Sequence, residues 1–510
     1  MSENPLFATK SVDHLRADAE AHHGLKRTLG PVDLVMLGIG AIIGAGLFVR
    51  TAAAAANNAG PAVTLGFVVA SLGSAFAGLC YAEFASMIPM AGSAYTYSYA
   101  TMGELVAWII GWDLCLEYAI GAATVGIAWS EYLNKLLEYV GLRIPYAWSH
   151  SPFEVMRDAA GTVVAHGIMN IPALFIVGVL TLLLIRGIRE SAFVNGIIVI
   201  TKVAIVILFI VIGWGFINPA NHVPYIPADS NYVDAQGVGH HFGGIMGILG
   251  AGGVVFFAFI GFDAVSTAAQ EAKKPKRDMP IGILGSLLIC TVLYILFAHV
   301  LTGVASVDEF RAQGKEASVV YAINTYMTGY GWLAKFVTVA ILAGFSSVIL
   351  VMLLGQSRVF FAMSRDGLVP KVFSEIHPRF GTPWKANIVF FFFCGAFAAF
   401  VPGDVVGDMT SIGTLFAFIL VCAGVWILRV KSPELPRDFR TPLVPLVPIL
   451  GIVVCAAMIL GLGWTNWLRL GVWLVLGLVA YGFYGRKHSH LRRGDAAAPS
   501  GNVAPPAPAP

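Results

Sequence analysis

The chain has 510 residues, 57% of them hydrophobic and only 12% charged, with a mean hydropathy of +0.77. A soluble domain carries roughly 25% charged residues, so a water-soluble globule of this length is excluded for want of a charged surface. The net charge of +3 is small, and no basic-aromatic stripe accompanies it, which excludes a nucleic-acid partner.

In chain order, residues 1–30 are polar and contain no apolar leader, so a cytoplasmic N-terminal segment without a cleaved signal is expected. Twelve apolar spans then follow, at about 31–55, 62–87, 103–137, 168–185, 190–217, 243–268, 280–304, 333–356, 386–402, 408–428, 444–463 and 467–485. The third is over-long, which predicts tilt or a helix that projects past the headgroups. Spans 1–5 occupy 31–217 and spans 6–10 occupy 243–430, with the last two in 444–485. From 486 the chain is basic and then Ala/Pro-rich, which predicts a disordered cytoplasmic tail over 486–510. Counting Lys and Arg by side, with the N-terminus inside, gives 23 internal and 8 external, and Lys202 lies within a span. That bias predicts a multi-pass protein of the cell (inner) membrane with both termini cytoplasmic.

The first span reads LGIGAIIGAGLFVRTA, with Gly38, Gly40, Gly44 and Gly46 in nine residues. One reading is close helix packing through the small pair Gly40 and Gly44. The other is local unwinding at Gly44, Ala45 and Gly46, which frees amides at the start of a half-helix and suits a carboxylate. The third span carries Glu117, and Asp113 one turn earlier, nearer the inner surface and read as solvated or capping. Glu117 could pair with Lys202, relay a proton or favour a cationic side chain. Lys202 sits about twelve residues into the fifth span, too deep to snorkel, and such a group needs a reason. It reads as a proton carrier, a fixed cation in place of a bound ion, or one half of a buried ion pair.

The sixth span, IMGILGAGGVVFFAFIGFDAVSTAAQE, repeats the glycine pattern and holds Asp263. Freed carbonyls there could receive an ammonium group, while the phenylalanines shape an apolar pocket. Corresponding breaks in two halves of a chain point to a site between inverted repeats. Phe257, with Phe345 and Val348 of the eighth span, is a candidate for the side-chain pocket. Glu83 and His299 read as structural hydrogen-bonding groups. The six cysteines stand singly in apolar runs, so they read as buried hydrophobes, and no disulfide or metal is expected. No nucleophile elbow, nucleotide loop or His/Asp/Glu cluster occurs, so neither an enzyme nor a cofactor is expected.

With these residues in view, the chain resembles the amino acid–polyamine–organocation (APC) transporter superfamily, closest to its cationic-amino-acid-transporter-like bacterial branch. The strings that carry the resemblance are GIGAIIGAGLFV, CYAEFASMIPMAGSAYTYSYATMGE, LEYAIGAATVGIAWSEY, FFAFIGFDAVSTAAQEAKKPKRDMPIGI and GQSRVFFAMSRDGLVPKVFSEIHPRFGTPWKAN, over roughly 25–430. The resemblance implies an all-α membrane protein of twelve transmembrane helices. Its fold would be the leucine-transporter type, a five-plus-five inverted repeat with broken first and sixth helices. It implies that amides of Ala45 and Gly46 hold a substrate carboxylate. Carbonyls of Ile42 or Ile43, and of Phe257, Ala258 and Ile260, would receive the amino group. It also implies that Lys202 stands where proton-coupled members carry a fifth-helix lysine, with Glu117 linked to it. Gln270 departs from the pattern, since relatives often carry two acids there.

The expected function is secondary active import of L-amino acids by proton symport with alternating access. Exchange without net proton movement, or a membrane sensor or channel, are the alternatives. The expected partners are an L-amino acid, protons and membrane lipid, and a small membrane-protein subunit stays open.

Overall fold

A computed structural model describes residues 5–10, 28–88, 93–157, 162–187, 192–233, 239–312 and 318–493. The segments for which a disordered tail and a polar N-terminal stretch are expected lie largely outside these, at 494–510 and 11–27.

The chain is a mostly helical, multi-pass membrane protein. Apolar segments in lipid must satisfy their backbone internally, and helices do so. Among the described residues, 8 helices are long and apolar enough to cross a membrane, and four further apolar helices run 10–17 residues. Local chemistry sets where helices start. Pro31 opens the Pro31–Ile42 helix, and the Asp33 carboxylate accepts from the Gly30 amide at 2.8 Å. Asn170 caps the Ile171–Ile185 helix by accepting from the Ala173 amide at 3.1 Å.

Several elements differ from the sequence expectation. The helix read as 333–356 runs Gly331–Arg365, because Val359, Phe360 and Met363 continue its buried face. The helix read from 280 starts at Pro275, whose fixed φ suits a first turn. Ser93–Thr101, a polar and aromatic stretch outside every expected span, is a helix with all of its residues buried. The connections ahead of the Ile171–Ile185 and Gly244–Val255 helices hold small antiparallel ladders, Val155–Arg157 with Val163–His166 and Ser230–Val233 with Gly239–Phe242.

The Pro275–Val304 helix packs on both Val63–Met87 and Pro31–Ile42, while Gly331–Arg365 lies along Gly121–Glu138. The Trp464–Ala480 helix is peripheral and turns Leu468, Val472, Val475 and Leu476 outward, an apolar face suited to lipid. Two buried carboxylates tie distant segments together. Glu83 accepts both Nε and Nη2 of Arg429, at 2.8 and 2.9 Å, and the Thr441 amide at 2.8 Å. The Arg437 Nε lies 3.1 Å from the same carboxylate. Glu104 accepts from Tyr99 at 3.0 Å, Tyr481 at 2.7 Å and Arg492 at 2.7 Å, and from Ser489. Residues 8–10 reach the same place, with the Glu104 amide bonded to the Ala8 carbonyl and the Lys10 amide to that of Tyr99.

Candidate functional site

The first helix breaks where its glycines cluster. Its regular ladder ends with the Ile43 amide on the Ile39 carbonyl at 2.9 Å, and Ile43 itself is extended. The next bond along the chain is from the Leu47 amide to the Gly44 carbonyl, at 3.2 Å. Gly44, Ala45 and Gly46 therefore stand at the start of the second half-helix, where amides lack an intrahelical acceptor. All three are buried.

The sixth helix breaks in a different way. Gly244–Val255 tightens into a 3₁₀ turn over Phe256–Phe259, and Ile260 is extended. Gly261 follows at φ +113°, a conformation that only glycine adopts readily, and Ala264–Thr267 resumes the helix. The Phe257 carbonyl accepts the Ile260 amide at 3.3 Å. Phe257, Ala258 and Ile260 are buried.

The two breaks dock backbone to backbone. A methyl group on Gly46 would lie 2.2 Å from the Ala258 Cα and 2.4 Å from its nitrogen. One on Gly261 would lie 2.9 Å from the Ala41 carbonyl oxygen. Val348 comes next to Gly44, 3.3 Å from where a Cβ would stand. Phe345 packs edge-on to Tyr132, ring centroids 5.6 Å apart, and tilted to Phe48 at 6.3 Å. The structure thus brings Gly44, Gly46, Ala258 and Val348 around one junction, with Phe345 beside Phe48 of the second half-helix.

The carbonyls at the end of the first half-helix are taken by side chains from two other helices. Lys202, 1% exposed, donates from Nζ to the Gly40 carbonyl at 2.8 Å. The Tyr294 hydroxyl donates to the Ile42 carbonyl at 3.0 Å. Glu117 is fully buried and lies in a π-helical turn, Leu116–Ile120, within its long helix. Such turns recur at functional sites. Its carboxyl faces that of Asp263, not Lys202, and Asp263 accepts the Tyr118 hydroxyl. Asp113, expected to be solvated or capping, is instead fully buried and its oxygens find no donor among the described residues. The reason is packing: Gly413 of the Gly403–Lys431 helix lies over it, and a Cβ there would stand 3.2 Å from its Oδ1. Among the described residues, no three His, Cys, Asp or Glu side chains gather to hold a metal ion.

Two ion-paired groups flank the region. Arg50, in the second half-helix, pairs with Asp404 at 3.3 Å and with Asp408. Lys10 pairs with Asp366, which also accepts the Tyr95 hydroxyl at 2.6 Å. The sequence reading singled out none of Tyr294, Tyr118, Asp404, Asp408 or Asp366. Each is an ordinary residue type at an ordinary place, and its partner lies far away along the chain. Arg50 does carry a local signal, as a charge directly behind an apolar glycine-broken run.

The chain matches the amino acid permease family model over residues 29–476. It is 44% identical over 488 residues to the branched-chain amino acid permease BcaP of Bacillus subtilis (strain 168), covering 96% of this chain and 99% of that one. It is 39% identical over 488 residues to the methylthioribose transporter of the same organism, with the same coverage. It is also 34% identical over 443 residues to the vacuolar cationic amino acid transporter 4 of Arabidopsis thaliana, covering 84% of this chain and 68% of that one.

Proposed function

This chain belongs to the amino acid permease family, and from that premise we propose that it imports L-amino acids by proton symport with alternating access. In this reading twelve helices span the membrane with both termini inside, and the two blocks of five form an inverted repeat. The observation that carries it is the direct docking of the two breaks at Gly46 and Ala258. Amides of Gly44, Ala45 and Gly46 would hold the carboxylate, and carbonyls of Ile43, Phe257, Ala258 and Ile260 the amino group. Ile42 contributes once Tyr294 shares or yields its carbonyl.

Backbone reads only the part that all amino acids share, so the side-chain pocket sets selectivity. Phe257, Phe345 and Val348 make it apolar, in keeping with the relative named for branched-chain substrates. An apolar pocket separates one methylene by only about 1–3 kcal/mol, so several neutral amino acids should be accepted.

Two carboxyls in contact and out of water repel as anions, and one proton between them relieves that. Glu117 with Asp263 is therefore a place for the coupled proton, and Lys202 is the charge that senses the first-helix break. Arg50 with Asp404 and Asp408 would close the outer path, and Lys10 with Asp366 the inner one. A second reading, exchange without net proton movement, draws on the bond from Lys202 to Gly40, which suits a fixed cation.

Reconstitution in liposomes decides between them. An inward proton gradient should drive accumulation of labelled leucine, isoleucine or valine above the level reached without it. Exchange that proceeds at full rate but never concentrates solute would establish the second reading. No movement of any amino acid in a full panel would end both.

A further inference from the structure

We infer that Gly344 is the residue that lets Lys202 reach the broken first helix, and that it acts as a positioning residue for coupling. What Lys202 does in transport rests on the symport reading above; the steric part stands by itself.

Glycine inside a helix weakens it relative to alanine. Gly344 lies in the middle of the Gly331–Arg365 helix, so its presence needs a cause. A Cβ there would stand 2.5 Å from the Lys202 Cε and 3.3 Å from both its Cδ and Cγ. The lysine therefore lies lengthwise in the notch that the missing methyl leaves. The other glycines of this helix are less constrained: a Cβ on Gly331 would have no neighbour within 4 Å, and one on Gly355 would come no nearer than 3.2 Å, to the Tyr118 ring.

At the far end of the same side chain, Nζ donates to the Gly40 carbonyl at 2.8 Å. In an unbroken helix that carbonyl would take the amide of residue 44. The ammonium thus replaces the bond that the break removes. Cε is bonded to Nζ, so whatever displaces the one displaces the other. The helices that carry Lys202, Gly40 and Gly344 all touch one another. Cys290, on the Pro275–Val304 helix, is an ionisable neighbour of Lys202. An added methyl at 344 meets a flexible side chain and not backbone, so its effect should fall on the position of the ammonium.

The test is a double-mutant cycle on the full chain, with Gly344→Ala, Lys202→Ala and both together. Proton-driven accumulation, exchange and the thermal unfolding midpoint are measured for each. Gly344→Ala should lower the ratio of accumulation to exchange roughly tenfold, the size expected for losing a hydrogen bond to a charged group. It should flatten the dependence of uptake on external pH. In the Lys202→Ala background it should leave the ratio unchanged and not lower the midpoint, because the atoms it would strike are gone and alanine suits a helix better than glycine. An equal shift in both backgrounds would assign Gly344 to general helix packing and overturn the inference, as would no change in either. If Gly344→Ala fails to fold unless Lys202 is also removed, the inference holds; failure in both backgrounds ends it. Should the parent protein show no proton-driven uptake, the symport reading falls, and the midpoints alone still decide whether Gly344 acts through Lys202.

Discussion

Removing the charge from Glu83 strands two guanidinium groups. Its carboxylate is 1% exposed, as is the side chain of Arg437, and Arg429 approaches it with two nitrogens. Breaking a buried pair by removing one partner costs about 3–5 kcal/mol. Glu83→Gln should therefore lower the thermal midpoint sharply without changing the preference among substrates. The check is unfolding in detergent beside competition for uptake. His222 is a milder case, in the polar connection after the Ala192–Gly213 helix. Burial, and then the neighbouring His299, push its pKa below the ordinary value of 6.5. The rings lie 4.5 Å apart, and Thr302 Oγ1 is 3.3 Å from Nε2. Below about pH 6.5 the unfolded chain takes up a proton that folded His222 resists, so stability falls with acid until the lowered folded value is passed. His222→Gln should narrow the difference between midpoints measured at about pH 7.5 and about pH 5.5. A difference as large as in the parent would assign the acid sensitivity to another group.

Between elements, the contact that matters most is the one between the two breaks. Gly46 has no room for a side chain, because the atoms it would meet are the Cα and nitrogen of Ala258. Overpacking of this kind costs roughly 1–3 kcal/mol where neighbours can give, and backbone gives least. Gly46→Ala should abolish uptake, and added substrate should no longer raise the unfolding midpoint. Gly239→Ala, a connection glycine with nothing within 4 Å, is the matched control and should leave both unchanged. The existence of the breaks was legible, since glycine density and an aspartate inside an apolar run are local signals. Which atoms meet across them was not, because Ala258 is an unremarkable alanine whose meaning comes from Gly46, over two hundred residues earlier. The sequence left Glu117 open among pairing with Lys202, relaying a proton and favouring a cationic side chain, and its approach to a second carboxyl, Asp263, was not legible for a related reason. Helix register at that level depends on where the turn widens, and no residue type announces it.

At the scale of the molecule, the two described ends of the chain close one end of the bundle together. Glu104 is held by the 481–492 segment and by the backbone of Ala8, and Asp366 by Lys10 and by the amide of His490. Gly367 keeps its place at φ +78°, because a methyl there would strike the His488 carbonyl oxygen at 2.2 Å. Hydropathy made the helical, multi-pass character plain, but this closure could not be read from it. Residues 481–493 look like a helix end running into a basic tail until Glu104 is seen beneath them. Ending the chain at residue 485 should lower the thermal midpoint. It should also speed modification of a cysteine introduced at Tyr95 relative to the same cysteine in the full chain. Equal rates would mean that residues 5–10 close that end alone.

The same closure orders events on the ribosome. Glu104 is synthesised 388 residues before Arg492, so its carboxylate and Tyr99 beside it wait for their cation through most of translation. Every earlier helix can be inserted and packed while that corner is still unfinished. Residues 481–492, made late, then complete a contact begun by some of the first. A nascent chain stalled before residue 481 should therefore carry this end of the bundle unlocked.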